Sequence, residues 1–273
     1  MLQPSVNTQL SGVLAAAKAE NRAALIGYLP AGFPTIPGAA QAVQALIDGG
    51  ADVVEIGLPH SDPVLDGPTI QTADDIALRN GVRTRDVLET VRQVTAANPA
   101  VPVLVMTYWN PVDRYGAARF AADLAAAGGA GCILPDLPVE EAGPWLTAAA
   151  ELGLATVFVV APSSRDQRLA TITASGTGFV YAAAVMGVTG SRNQVGEMAE
   201  DLVRRTRATT ELPVCVGLGV STAAQAAEVA AFADGVIVGS AFVQRLLDAA
   251  SPEAGYAAVR ELAAELAEGV RKR

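Results

Sequence analysis

The stretch ADVVEIGLPHSDPVLDGPTIQ, residues 51 to 71, holds the side chains best suited to chemistry: Glu55, Asp62 and Asp66. Glu55 stands in an otherwise apolar run, Val53 to Gly57. A carboxylate buried there without a partner is costly in its charged form, so its pKa rises toward the range useful to a general acid or base. Asp62 and Asp66 follow in a long loop whose course is set by Pro59, Pro63, Gly67 and Pro68. Glu55 with one of these aspartates makes a pair able to divide acid and base work across a substrate. Asp also caps turns, and the residues alone leave both uses open. His60 ranks below the carboxylates, because a lone loop histidine is more often a surface side chain.

Two glycine-rich segments, VGLGVST and VIVGSAF, place Gly217, Gly219, Gly239 and Ser240 between the end of an apolar run and the start of a helix. Glycine there lets backbone N–H groups approach an anion, and the helix N-terminus adds a favourable dipole. Tyr181 leads into AAAVMGVTGSRNQV, a loop of small residues suited to a lid. Tyr28, Met106, Ile133 and Tyr181 line an apolar pocket in the same scheme. These residues point to a small phosphorylated substrate handled by a carboxylate pair.

Scarcity narrows the chemistry further. The chain contains one histidine, two cysteines (Cys132 and Cys215) and two lysines (Lys18 and Lys272). A zinc site needs about three or four His, Cys or carboxylate ligands, which disfavours zinc. Schiff-base or pyridoxal chemistry needs a lysine in a pocket, whereas Lys18 falls in a polar N-terminal helix and Lys272 in the last three residues. Both cysteines sit in apolar runs as small buried hydrophobes, consistent with a reducing cytoplasm. Nineteen basic against 28 acidic residues give a net charge of -9, which repels phosphate backbones and anionic lipid. The N-terminus lacks the basic and apolar regions of a signal peptide. The uncharged run Leu169 to Ser191 approaches membrane-span length, but its four glycines and its Ser and Thr content read as helix end, strand and loop.

The elements that must position these groups alternate along the chain. Eight apolar runs read as strands: Ala24 to Leu29, Val53 to Gly57, Val103 to Tyr108, Gly131 to Leu134, Ala155 to Val160, Phe179 to Tyr181, Val214 to Gly217 and Gly235 to Val238. Between them lie helical patterns near Pro37 to Asp48, Arg85 to Ala97, Ala117 to Ala127, Glu140 to Leu152, Asp166 to Ala174, Glu197 to Thr209 and Thr222 to Ala230, with a last helix at Pro252 to Arg271. Strands apolar on both faces fit a covered parallel sheet. Eight such units in 273 residues match an α/β fold of the (β/α)8 TIM-barrel class. A doubly wound open sheet is the rival, but no G-x-G-x-x-G follows the first strand. The prediction is a single barrel domain over residues 1–273, with an extra N-terminal helix around Val6 to Lys18. Active sites in such barrels lie at the C-terminal strand ends, where Glu55 and the glycine segments fall.

The second unit, EIGLPHSDPVLDGPTIQ, resembles the signature of the tryptophan synthase alpha subunit family, P-[FY]-S-D-P-x-A-D-G-P-x-I-Q. The resemblance extends to GYLPAGFP, YAAAVMGVTG, VGLGVST and IVGSA. It implies a lyase that cleaves indole-3-glycerol phosphate into indole and glyceraldehyde 3-phosphate, with no cofactor in this chain. By the resemblance, Glu55 protonates indole C3 and takes the glycerol hydroxyl proton, while Asp66 accepts the indole N–H. Tyr181 stands beside the substrate, and Thr189 is the lid threonine that holds Asp66. Gly190, Gly217, Gly219, Gly239 and Ser240 fall on phosphate-binding positions, and Tyr28, Met106, Ile133 and Leu218 on the indole pocket.

Three positions depart from the family pattern. His60 replaces the usual aromatic, Leu65 the usual alanine, and Val185 stands where some members carry a lid arginine, with Arg192 nearby. The family also works as an alpha2beta2 complex, in which indole passes to a pyridoxal-phosphate beta subunit. That implies a partner facing Asp62 and Pro59, and Leu58, Pro59, Val64 and Leu65, exposed in one loop, are consistent with it. A stand-alone indole-releasing lyase, an allosteric activator of the beta subunit, and another phosphosugar enzyme on a similar barrel are the alternatives.

Overall fold

The structure, a computed structural model, describes residues 7–184 and 192–272. Its strands run in the order β1 (Ala24–Pro30), β2 (Val53–Gly57), β3 (Val103–Met106), β4 (Gly131–Ile133), β5 (Ala155–Val157), β6 (Val159–Val160), β7 (Val180–Ala183), β8 (Val214–Gly217) and β9 (Gly235–Val238). All pairings are parallel, in the order β5-β4-β3-β2-β1-β9-β8-β7-β6. The two ends of this sheet, β5 and β6, are successive pieces of one extended segment interrupted at Phe158. The Val157 carbonyl accepts from Leu134 on the β4 side, and the Phe158 carbonyl accepts from Tyr181 on the β7 side. The segment predicted as one fifth strand thus closes the sheet into a (β/α)8 barrel.

The strands form because β-branched and apolar residues are packed on both faces. Inward residues include Ala24, Ile26, Val53, Leu104, Ile133, Ala155, Phe179, Cys215 and Ile237; outward ones such as Leu25, Val54, Val105, Val216 and Val236 meet the surrounding helices. That double burial explains why the strands read as continuous apolar runs rather than alternating ones. Helices α1 (Thr8–Ala19), α2 (Ile36–Asp48), α3 (Pro68–Arg79), α4 (Thr84–Ala97), α5 (Trp109–Tyr115), α6 (Ala117–Ala126), α7 (Gly143–Leu152), α8 (Asp166–Ser175), α9 (Arg192–Arg207), α10 (Ala223–Ala230), α11 (Ser240–Leu247) and α12 (Pro252–Gly269) accompany the strands. The expected extra helix is α1. Its Leu10, Leu14 and Ala17 pack with the inward residues at the strand starts, plugging the N-terminal end of the barrel. Asn7 caps it by accepting from the Leu10 N–H at 3.0 Å.

Aspartates stitch strand starts at that same end. Asp52, just before β2, accepts from the Leu25 N–H of β1 at 2.8 Å and takes both terminal nitrogens of the buried Arg22 at 2.7 and 2.8 Å. Asp234, just before β9, accepts from the Val214 N–H of β8 at 2.9 Å and pairs with Arg207. The rigid end is therefore opposite the one that carries the glycine loops and the strand termini.

Besides the split of the fifth strand, other elements differ from the sequence prediction. Helices α3 and α5 lie in segments read as loop or strand. β3 ends at Met106, so Tyr108 is the residue preceding α5 instead of a strand residue. α5 is a seven-residue helix separated from β3 by two residues and too short to write a periodic pattern, whereas ten residues separate α3 from β2, a proline-rich loop that masks its start. The uncharged run from Leu169 resolves into most of α8 and β7, as expected, before it leaves the described residues. Among the described residues no helix is long and apolar enough to cross a membrane.

Candidate active site

Counting in twos along β2, Val53, Glu55 and Gly57 face the barrel interior while Val54 and Ile56 join the outer layer. Glu55 is 0% exposed, and neither carboxyl oxygen has a hydrogen-bond partner among the described residues. Burial pushes its pKa up to about 8. The group is therefore mainly protonated at neutral pH, a state able to donate a proton. Tyr28 is its register partner on β1. The Glu55 charge also bears on Tyr28, Tyr181 and Cys215, whose ionisation burial already opposes. Room for the two phenols comes from glycine: a Cβ on Gly57 would collide with the Tyr28 hydroxyl, and one on Gly217 would stand 2.7 Å from the Tyr181 hydroxyl. Met106 and Ile133 complete this inner layer from β3 and β4.

Asp66 is held from two sides. The Tyr108 hydroxyl donates to Asp66 Oδ2 at 2.9 Å and itself accepts the Leu65 N–H at 3.0 Å. The Asp66 N–H donates to the Pro63 carbonyl at 3.1 Å, and its own carbonyl accepts from Gln71 Nε2 at 2.7 Å. Burial raises the Asp66 pKa, while the Tyr108 hydrogen bond and the nearby His60 pull it down. His60 is more than a loop surface group: its ring stacks on Tyr108 with centroids 4.9 Å apart and planes at 27°.

The loop between Glu55 and Asp66 divides into an inner and an outer part. Pro59 is buried and Leu58 half-buried, so the expectation of exposure fails for both. The Leu58 N–H donates to the Met106 carbonyl at 2.9 Å, which draws the loop's first residues back onto the strand ends. Val64 is 82% exposed and Leu65 41%, as expected. Asp62 is exposed and accepts from Ser61 Oγ at 2.7 Å.

The glycine segments lie above β8 and β9. Gly217 and Leu218 are half-buried, Gly219 is exposed with φ +67°, Gly239 is half-buried, and exposed Ser240 opens α11. Gly239 caps α11 without a side chain, so the Ser240 and Ala241 N–H groups remain available to an anion, while the Phe242 N–H donates to the Gly239 carbonyl at 2.9 Å. Neighbouring α10 likewise spends its third N–H on its cap residue, from Gln225 to Thr222 Oγ1 at 3.3 Å. Thr189 and Gly190, together with Val185, lie outside the described residues. No group of three or more His, Cys, Asp or Glu is placed to hold a metal among the described residues.

Two residues of this site escape a reading of the sequence. Tyr108 was placed in a strand, where its hydroxyl had no assigned partner. Asp74 lies on the buried face of α3 with Ile70, Ala73 and Ala77 and is 3% exposed. Its signal is a carboxylate on an apolar helical stripe, legible only once α3 is recognised as a helix.

The model of the tryptophan synthase alpha chain family matches residues 14–271. The tryptophan synthase alpha chain of Streptomyces avermitilis is 72% identical over 262 residues, which cover 96% of this chain and 94% of that protein. Its counterpart from Streptomyces coelicolor is 72% identical over 268 residues, 98% of either chain. A solved structure of Mycobacterium tuberculosis tryptophan synthase superposes with a TM-score of 0.89 at 51% identity, covering 96% of this chain and 98% of that one. Barrel, buried strand carboxyl, loop aspartate and glycine segments thus come with near full-length likeness, and the chain belongs to the tryptophan synthase alpha chain family.

Proposed function

We propose that Glu55 and Asp66 carry the proton and charge chemistry of the family reaction, the retro-aldol cleavage of indole-3-glycerol phosphate to indole and glyceraldehyde 3-phosphate. Protonated Glu55 delivers its proton to indole C3, which leaves a cationic ring able to take the electron pair of the breaking carbon–carbon bond. The Glu55 carboxylate then removes the proton of the glycerol hydroxyl beside that bond, so the aldehyde forms and the acid is regenerated. Asp66, ionised and oriented by Tyr108, accepts the indole N–H and offsets the positive charge on the ring. The substrate is its own electron sink, so the reaction draws on no lysine, metal or cofactor of this chain.

Substrate binding is assigned to the same end of the barrel. Tyr28, Met106, Ile133, Tyr181 and Leu218 contact the indole. Gly217 and Gly219 after β8 and Gly239 and Ser240 at the α11 start receive the phosphate through backbone N–H groups, and the family resemblance adds Gly190 to the set. The family resemblance assigns Thr189 the role of the threonine that holds Asp66. The whole chain is read as one domain, a reading supported by its single nine-stranded sheet, and it acts in the cytoplasm.

The observation that carries this reading is the wholly buried Glu55 carboxyl with both oxygens unpartnered. Glu55→Gln keeps size and polarity while removing the proton exchange. It is expected to lower indole release at least about 1,000-fold, the upper part of the usual range for one acid–base group. Turnover within tenfold of wild type in a folded variant refutes the assignment.

A beta subunit is the partner. The exposed Val64 and Leu65 with Asp62 form the contact surface, Pro59 shapes it from beneath, and pyridoxal phosphate belongs to the beta subunit. Indole release by the purified chain, measured with and without a beta subunit, separates a self-sufficient lyase from one that needs its partner. Absence of release in both conditions leaves only the activator role.

A further inference from the structure

His60 carries the chain's one imidazole, and the mechanism above does not use it. Its half-buried ring stacks on Tyr108, with centroids 4.9 Å apart and planes at 27°. The hydroxyl of that same phenol donates to Asp66 Oδ2 at 2.9 Å and accepts the Leu65 N–H at 3.0 Å. The Tyr108 backbone is fastened on both sides. The Thr107 N–H before it donates to the Ile133 carbonyl at 3.1 Å, and the Trp109 N–H after it donates to Asp136 Oδ1 at 2.8 Å. What the backbone leaves free is the turn of the phenol about its side-chain bonds, and the His60 face bears on that turn. We infer that His60 is a positioning residue, whose ring holds the Tyr108 phenol so that its hydroxyl meets Asp66.

Two ends of one loop come together at this phenol. Ser61 to Leu65 is a largely exposed stretch; His60 precedes it and lies on the Tyr108 face, while Leu65 and Asp66 end it at the Tyr108 hydroxyl. A stacked aromatic pair shifts an equilibrium by roughly two- to tenfold, enough to decide how often the hydroxyl lies on Asp66. A general base, the other use open to a histidine, acts through a ring nitrogen, whereas a support acts through its face. Phenylalanine in place of His60 therefore keeps a support and abolishes a base. The titratable groups bearing on Asp66 are Tyr108, His60 and, on α3, Asp74. Phenylalanine and alanine both remove the imidazole charge, so a difference between those two variants reports the ring face alone.

This inference rests on the lyase reading, so its test pairs indole release with a readout independent of turnover. His60→Phe is expected to keep kcat within about threefold of wild type. His60→Ala is expected to lower kcat roughly three- to tenfold below His60→Phe with KM changed less than twofold, since a displaced Asp66 loses a transition-state interaction. The acidic limb of its kcat/KM is expected at higher pH than in His60→Phe, because ionised Asp66 has lost its donor. In a Tyr108→Phe background the same alanine substitution is expected to add less than about twofold, the donor being already absent. The Leu65 amide signal in a ¹⁵N–¹H spectrum, which reports the Tyr108 hydroxyl, is expected to move in His60→Ala and to stay in place in His60→Phe. Equal losses in the two variants overturn the inference, as do a multiplicative loss in the Tyr108→Phe background and a Leu65 amide unmoved in His60→Ala. Should His60→Ala fail to fold, His60→Gln, which also lacks an aromatic face, takes its place with the same outcomes. Absence of indole release from the wild-type chain with its beta subunit overturns the lyase reading instead, and leaves the Leu65 amide to judge the support.

Discussion

Glu55 owes its chemistry to isolation. Burial alone lifts its pKa from 4.5 to about 8, and each pH unit of displacement corresponds to about 1.4 kcal/mol. The folded chain holds this proton where the unfolded chain has lost it. Its contribution to stability is therefore full below the unfolded value and is lost as pH rises through about 8, a change on the order of 5 kcal/mol. Glu55→Gln removes that dependence, so its urea midpoint is expected to exceed the wild-type value at pH 9 and to fall less between pH 5 and 9. Asp74, raised to about 7, leaves a smaller decline of the same sign. Equal slopes for variant and wild type contradict a neutral buried Glu55. Tyr108 tests the other carboxyl. Tyr108→Phe deletes the donor that stabilises ionised Asp66 and the acceptor for the Leu65 N–H. The acidic limb of kcat/KM is expected to move to higher pH, with a loss of roughly tenfold at neutral pH, about one charge-assisted hydrogen bond. An unshifted limb rules out Tyr108 as the group that tunes Asp66.

At the scale of elements, the strand starts are tied by side chains and the strand ends are left to loops. Asp52 serves the Leu25 N–H and Arg22 together. Asp52→Ala leaves the buried Arg22 with only the more exposed Glu20 as a charged partner and leaves the Leu25 N–H unpaired, and is expected to cost about 3 kcal/mol in chemical denaturation while leaving kcat near wild type in the folded protein. A large fall in kcat with little loss of stability would mean that the closed end communicates with the site. Most strands were legible because double burial writes them as apolar runs. Helices α3 and α5 were not, since α5 has only seven residues and α3 continues a proline-rich loop without a break in composition. Missing α3 hid Asp74, and extending β3 to Tyr108 hid the donor to Asp66. The break at Phe158 was equally invisible, because a continuous apolar run from Ala155 to Val160 carries no mark of where the chain changes its pairing from β4 to β7.

For the whole molecule, the loop after β2 faces two ways. Its inner part, Leu58 and Pro59, returns to the strand ends, and Val64 and Leu65 project outward. Exposed aliphatic groups beside a site whose product is apolar fit a surface that is covered when the enzyme assembles. Val64→Asp is expected to raise the Kd for a beta subunit at least tenfold, read by calorimetry, while indole release by the isolated chain stays unchanged. An unaltered Kd removes this loop from the interface. Sequence by itself determined the barrel class, the buried strand carboxyl and the glycine segments at helix starts, since each is written in local periodicity or in a residue type at odds with its neighbours. Only the tertiary structure decided that Pro59 is buried, that His60 stacks on Tyr108, and that Asp74 is buried on the inner face of α3. Those relations join β2, β3, α3 and the loop residues between them, and the contacts depend on how separate elements meet around a closed barrel, which no run of neighbouring residues encodes.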